Sequence, residues 1–165
     1  MSNGNIQAGI GAWHKDGRTF YVKRSGQMEN YPNVWSLFSI QFTDEELPDY
    51  QDKEDSSKVM NRMSQERLGG EPIQLIRYIK SATCYENPMN IPVTLHLYQI
   101  ELEQKPKLNP RYYADSAWFT PEEYLEASAE STCGLCLRMW SDYCYQMNLS
   151  KIRFAPSVDE KSRAR

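Results

Sequence analysis

The residues of this chain that could do chemistry are few and scattered. Cys133 and Cys136 form a Cys-x-x-Cys pair, a spacing that can ligate zinc or do redox chemistry. A structural zinc site needs about four ligands, and the nearby sequence adds only a third, Cys144. The redox reading asks for a strand-to-helix turn ahead of the pair, and Ser-Ala-Glu-Ser-Thr is a weak one. Reduced thiols packed along a helix explain the spacing more simply. His14 and His96 could act as acid or base, yet no nucleophile stands near either, so both read as strand residues. The chain carries no Gly-rich phosphate loop and no nucleophile elbow. What stands out is a charged run, Glu54 to Gly70 (EDSSKVMNRMSQERLGG), in which Arg62 and Glu66 are four apart and can pair along a helix.

The elements that must hold these residues follow from periodicity. Alternation at 6–14 and 19–24 predicts two strands joined by the turn Lys15-Asp16-Gly17, and 34–42 reads as a third strand. The acid-rich stretch 43–57 reads as a solvated loop leading into a helix over about 55–68. Asp55 or Ser56 is the expected cap, Gly69-Gly70 the stop, and Val59, Met60 and Met63 the buried face. Strands are expected at 73–80 and 92–102. In the second, Val93, Leu95 and Leu97 alternate with Thr94, His96 and Tyr98. A short strand at 117–119 runs into a helix capped by Thr120 with Pro121 in its first position. A last helix is expected over 130–148, and 155–165 reads as a polar, frayed end. The order of elements implies an α/β sandwich with a mixed sheet, a single domain over 1–150 and a flexible tail over 151–165.

Composition narrows the classes of partner. At 165 residues the chain suits one domain with a real core, and its net charge of -3 comes with no basic block. An extended nucleic-acid surface is therefore not expected, although a ligand as small as a nucleotide would need none. The start lacks the marks of a secretory signal, and no apolar run reaches the roughly 20 residues of a membrane span. The reading is a soluble, cytoplasmic protein.

The Glu54–Gly70 run resembles the Nudix box, whose pattern is G-x5-E-x7-R-E-U-x-E-E-x-G-U with U a bulky apolar residue. Glu54 takes the first Glu, Arg62 the Arg, Glu66 the first of the paired acids and Gly69 the glycine. Pro48 stands at the first glycine, Met63 at the Glu after Arg, and Arg67 at the second paired Glu, while Ser64 and Gly70 depart from the apolar positions. The surroundings support the resemblance. FYVKR ends in basic residues and is followed by Trp35, and Asp115 precedes Trp118 by three residues ahead of PEEYL. The resemblance covers about residues 6–127 and implies a Nudix-type α/β/α sandwich.

In the Nudix family the box carboxylates gather Mg²⁺ or Mn²⁺ against a pyrophosphate. Carried over, this implies Glu66 as the catalytic carboxylate and metal ligand, and Asp115 as a second metal ligand. Asp44, Glu45, Glu46, Asp52 and Glu54 form the reserve of acids. Met63 and Arg67 are poor companions for a hard cation. Arg62, Glu66 and Glu54 also fit a plain salt-bridge frame around the helix. Arg67 could instead hold a phosphate directly, because Arg makes bidentate phosphate contacts, or it could turn to solvent. Aromatic side chains beside the box often hold a ring in the family. Trp13, Trp35, Tyr85, Tyr112 and Tyr113 are the candidates, and Trp35 and Tyr112 join Arg62 and Arg67 as expected ligand contacts.

Three functions follow from the resemblance: a phosphoanhydride hydrolase acting on a nucleoside diphosphate linked to another group, an inactive relative binding a phosphorylated small molecule, or a repurposed enzyme. Many members dimerise, and the first strands or the last helix could form a homodimer interface.

Overall fold

In a computed structural model, which describes residues 5–46, 53–85, 87, 90–128 and 134–154 (only the backbone at 53–55), the sheet starts from the expected hairpin. Strand β1 (Ile6–Lys15) runs antiparallel to β2 (Arg18–Arg24). The turn between them places Asp16 at φ 54° and Gly17 at φ 79°. Two positive φ values in a two-residue loop match the twist of the flanking strands, and Asp-Gly accepts them readily.

The apolar run at 34–42, expected as one strand, is two. β3 (Trp35–Ser36) pairs with β2, whereas β4 (Phe38–Gln41) pairs with β1. Leu37, fully buried, marks the break. The chain changes ladder partners there, and a straight strand could not follow both β2 and β1 where they separate.

Helix α1 spans Lys53–Arg67, two residues earlier than expected, so Asp55 and Ser56 lie inside its first turns and are not its cap. Ser56 is buried and donates through its hydroxyl to Tyr98 Oη on the sheet at 3.0 Å. A tertiary hydrogen bond has taken the side chain that local pattern assigned to capping. The stop is as expected: Gly69 and Gly70 have φ of 64° and 86°. A Cβ on Gly69 would stand 2.8 Å from the Lys107 carbonyl oxygen, so both conformation and space exclude a side chain. Val59, Met60 and Met63 are buried, as their spacing predicts.

β5 (Gln74–Cys84) is longer than its apolar run, and β6 (Val93–Glu101) lies between β5 and β1, parallel to β1 and antiparallel to β5. This central place changes the meaning of the alternation in β6. Leu97 enters one core while Tyr98 and Ile100 enter the other, so both faces are covered. β7 (Tyr113–Phe119) joins β2 along seven residues, where three were expected.

Helix α2 (Pro121–Ala127) has the predicted cap: Thr120 Oγ1 accepts from Glu123 N, and Glu123 Oε1 accepts from Thr120 N. Helix α3 spans Leu135–Gln146, and Cys133 and the 155–165 tail lie outside the described residues. Cys136 and Cys144 are packed thiols whose pKa burial raises, Cys144 to about 12.

The result is an α/β fold with a mixed sheet of order β3-β2-β1-β6-β5, with β4 also on β1 and β7 also on β2. One core, with Phe20, Phe38, Met63 and Tyr98, lies under α1. The other, with Tyr21, Leu97, Tyr124 and Trp140, lies under α2 and α3. No helix among the described residues is long and apolar enough to cross a membrane.

Candidate functional site

The C-terminal half of α1 carries the box residues, and helix periodicity divides them. Arg62 and Glu66 face outward and Met63 faces the core with 0% exposure. Arg62 is held by two acids. Its Nε donates to Glu46 Oε2 at 2.8 Å, its Nη2 to Glu46 Oε1 at 2.7 Å, and its Nη1 to Glu66 Oε2 at 2.8 Å. Nη2 also reaches the Gln41 carbonyl at 2.6 Å. Glu46 sits in a short 3₁₀ turn, Asp44–Glu46, and its Oε1 also accepts from Thr43 N. Hydrogen bonds from Arg62 hold the Glu46 carboxyl below its usual pKa, and those to Glu46 hold the Arg62 guanidinium above its own. The salt-bridge frame expected around Arg62 exists, with Glu46 in it. The Glu54 side chain lies outside the described residues.

One residue beyond Glu66 the chemistry changes. Half-buried Arg67 is not turned to solvent: its Nη1 donates to the Ser39 carbonyl of β4 at 2.5 Å. Its Cζ lies 4.2 Å from the centre of the Tyr112 ring. Its Nε is buried and unbonded. Asn109 fixes the helix end beside it, donating from N to the Arg67 carbonyl and from Nδ2 to the Glu66 carbonyl, both at 2.9 Å. The Tyr113 hydroxyl accepts from Ser39 N at 3.3 Å. Arg24, at the end of β2 opposite Tyr113, donates from Nη2 to Asn30 O at 2.8 Å and from Nε to Tyr31 O at 3.0 Å. Burial lowers the Arg24 pKa; the Tyr113 charge works against that, and the charge of Arg67 adds to the lowering.

The remaining expected site residues are dispersed. Trp35 packs edge-on against Phe119 at 5.1 Å, in the core under α2 and α3. Asp115 lies opposite Lys23 in the ladder, on the side of β2 shared with Tyr21, whose ring stacks on Tyr124 of α2. That register separates Asp115 from the α1 side, where Glu66 stands; its Oδ1 accepts from Ser116 N. Tyr85 is exposed. His14 bonds Thr19, and His96 lies buried between Ser81 and Gln7, its pKa lowered to about 4 by desolvation.

Mg²⁺ or Mn²⁺ wants several oxygen donors at one point. Among the described residues no three His, Cys, Asp or Glu side chains gather in that way. The residues described at the C-terminal box positions of α1 do not fit such an ion: Glu66 already serves Arg62, Met63 is in the core, and Arg67 is a cation. Sequence reasoning missed Glu46 as the partner of Arg62, although it lay in the acid-rich stretch. It also missed Arg24, whose only signal was a basic residue at a strand end.

No family model matches this sequence, and no curated protein matches it. Solved structures do. A NUDIX hydrolase from Nitrosomonas europaea superposes with a TM-score of 0.64 at 10% identity, covering 94% of this chain and 95% of the other. A MutT NUDIX hydrolase from Burkholderia pseudomallei has a TM-score of 0.56 at 18% identity, with 72% and 85% covered. The complex of the C-terminal domain of mouse MUTYH with human PCNA gives 0.53 at 16% identity, with 94% and 97% covered. The chain has the fold of the Nudix hydrolases.

Proposed function

We propose that this chain uses the Nudix fold to bind a phosphorylated, nucleotide-like small molecule without metal-dependent hydrolysis. The observation that carries the reading is Arg67, a half-buried guanidinium that among the described residues meets a carbonyl and a ring, at the box position of a metal-binding acid.

Charge argues against the hydrolase reading, in which Glu66 and Asp115 would hold Mg²⁺ or Mn²⁺. The Arg62–Glu66 pair is exposed and four residues apart, so parting it costs only about 0.3–0.5 kcal/mol. That alone would not keep a metal out. A guanidinium one residue beyond Glu66 would be the larger obstacle wherever an ion approached it: like charges near 4 Å repel by about 4 kcal/mol at an effective dielectric of about 20. A guanidinium suits phosphate as well as it repels Mg²⁺. The MUTYH domain, named in its complex with PCNA, adds that a fold of this shape takes part in a binding assembly.

The test is calorimetric titration of Mn²⁺ and Mg²⁺ into metal-stripped protein, beside Glu66→Gln, followed by a turnover assay on nucleoside diphosphate compounds. The expected result is no metal binding below about 1 mM, which corresponds to roughly -4 kcal/mol, and no turnover. Tighter binding that Glu66→Gln abolishes, together with metal-dependent cleavage, overturns the reading in favour of hydrolysis.

A further inference from the structure

The charges around Tyr112 are unbalanced. Arg18, Arg62 and Arg153 each pair with a carboxylate. Among the described residues, Arg24, Arg67 and Arg111 have no carboxylate partner. Arg24 is bonded to the carbonyls of Asn30 and Tyr31, and Arg67 to that of Ser39. Arg111 lies with its Cζ 5.9 Å from the Tyr112 ring that also carries Arg67. The three come from separate elements, the end of β2, the end of α1 and the segment before β7. The backbone bond from Ser25 N to Tyr112 O and the Arg24–Tyr113 pairing tie those elements together. Arg67 and Arg111 both neighbour the Tyr112 ring, and the charge of Arg67 acts on Arg24, in a chain whose net charge is -3.

A second observation points at the same place. Arg67 uses Nη1 on Ser39, and its Nε is a buried donor without a partner. A buried unbonded donor is unfavourable and calls for an explanation such as an ion. The Nε–Nη2 edge is the one that grips an oxyanion with two parallel hydrogen bonds. Turning that edge outward gives up the bond to the neutral Ser39 carbonyl and shifts the guanidinium on the Tyr112 ring, both neutral partners.

We infer that Arg67, Arg24 and Arg111 form a cradle for a phosphate or pyrophosphate group, with Arg67 as its bidentate contact and Tyr112 as the ring that positions Arg67. This rests on the metal-independent binding reading and deepens it by naming the residues that receive the anion. The cradle needs no divalent ion, because the guanidinium groups themselves offset the charge of the anion.

The experiment is calorimetric titration of inorganic pyrophosphate into the full chain in EDTA, at two salt concentrations. Arg24→Gln, Arg67→Gln, Arg67→Lys and Arg111→Gln are compared with Arg18→Gln, whose arginine pairs with Glu123. Circular dichroism confirms that each variant is folded. Saturable binding is expected that weakens with salt. Arg67→Gln and Arg24→Gln should each reduce affinity at least tenfold, Arg67→Lys most of that, and Arg111→Gln less, while Arg18→Gln leaves it unchanged. If Arg67→Gln does not fold, Arg24→Gln and Arg111→Gln decide. Pyrophosphate binding that ignores Arg24 and Arg111 overturns the cradle and leaves metal-independent binding standing. No saturable binding in EDTA also overturns the cradle. Metal-dependent turnover, read separately, is the outcome that removes the broader reading.

Discussion

Arg62 and Arg67 sit five residues apart on one helix and are treated in opposite ways. Arg62 is wrapped by two carboxylates and a carbonyl, so its charge is spent inside the protein. Arg67, at the helix end, meets a carbonyl and a ring and among the described residues has no carboxylate partner. The difference teaches that two arginines on one helix can have opposite charge environments within five residues. Glu66, an acid at a box position, pairs with Arg62, whereas Arg67, at a substituted position, is the residue on which the proposed binding rests.

The strongest way to break the contrast is to restore an acid inside it. Met63→Glu puts a carboxylate where Met63 is wholly enclosed by the α1 core. Burial of an unpaired charge should lower stability by about 3–5 kcal/mol at neutral pH, measured by urea unfolding. A folded variant of unchanged stability would mean that the helix can rotate this position outward.

Acid sharpens the comparison from the neighbouring β6. His96 has a folded pKa of about 4 against 6.5 when free. Below 6.5 the unfolded chain takes up a proton that the folded chain refuses, so stability should fall as pH drops from 6.5 to 4. The loss should approach about 3 kcal/mol. Unfolding curves across that range should show it, and His96→Gln should flatten them.

Gly69→Ala tests the stop that sets where Arg67 sits. With φ at 64° and the Lys107 carbonyl in the way, it should cost about 1–2 kcal/mol. Pyrophosphate affinity should fall with it if the helix end moves.

The smallest effect belongs to the Arg62 brace. Glu46→Gln should lose about 0.5–1 kcal/mol, and less at high salt. The lowered pKa of Glu46 gives the sign: its contribution is present above about 4.5 and disappears as pH falls through the lower folded value. A loss above 2 kcal/mol would show that the brace holds the fold, and not only the site.

Much of the fold was legible along the chain because its signals are local. Asp16-Gly17 dictates the hairpin, Gly69-Gly70 ends α1, and Thr120-Pro121 with Glu123 starts α2, each within a few residues of the element it sets. Reading was poorer wherever an element answers to a distant one. The 34–42 run splits because β1 and β2 part company there, and Ser56 leaves the capping role for Tyr98 across the sheet.

The candidate site shows the same division. The sequence by itself determined which residues the helix offers at three- and four-residue spacing, and that Val59, Met60 and Met63 share its packed face; that Glu66 stands outside it is a tertiary result. It also determined the α/β fold, through hydrophobic periods that any extended chain or helix must obey. Only the tertiary structure decided which acid reaches Arg62, which side of the sheet Asp115 occupies, and which arginines have no acid partner among the described residues. Charge pairing acts through space over a few ångströms, between residues such as Glu46 and Arg62 or Arg24 and Arg67 that the chain order holds far apart.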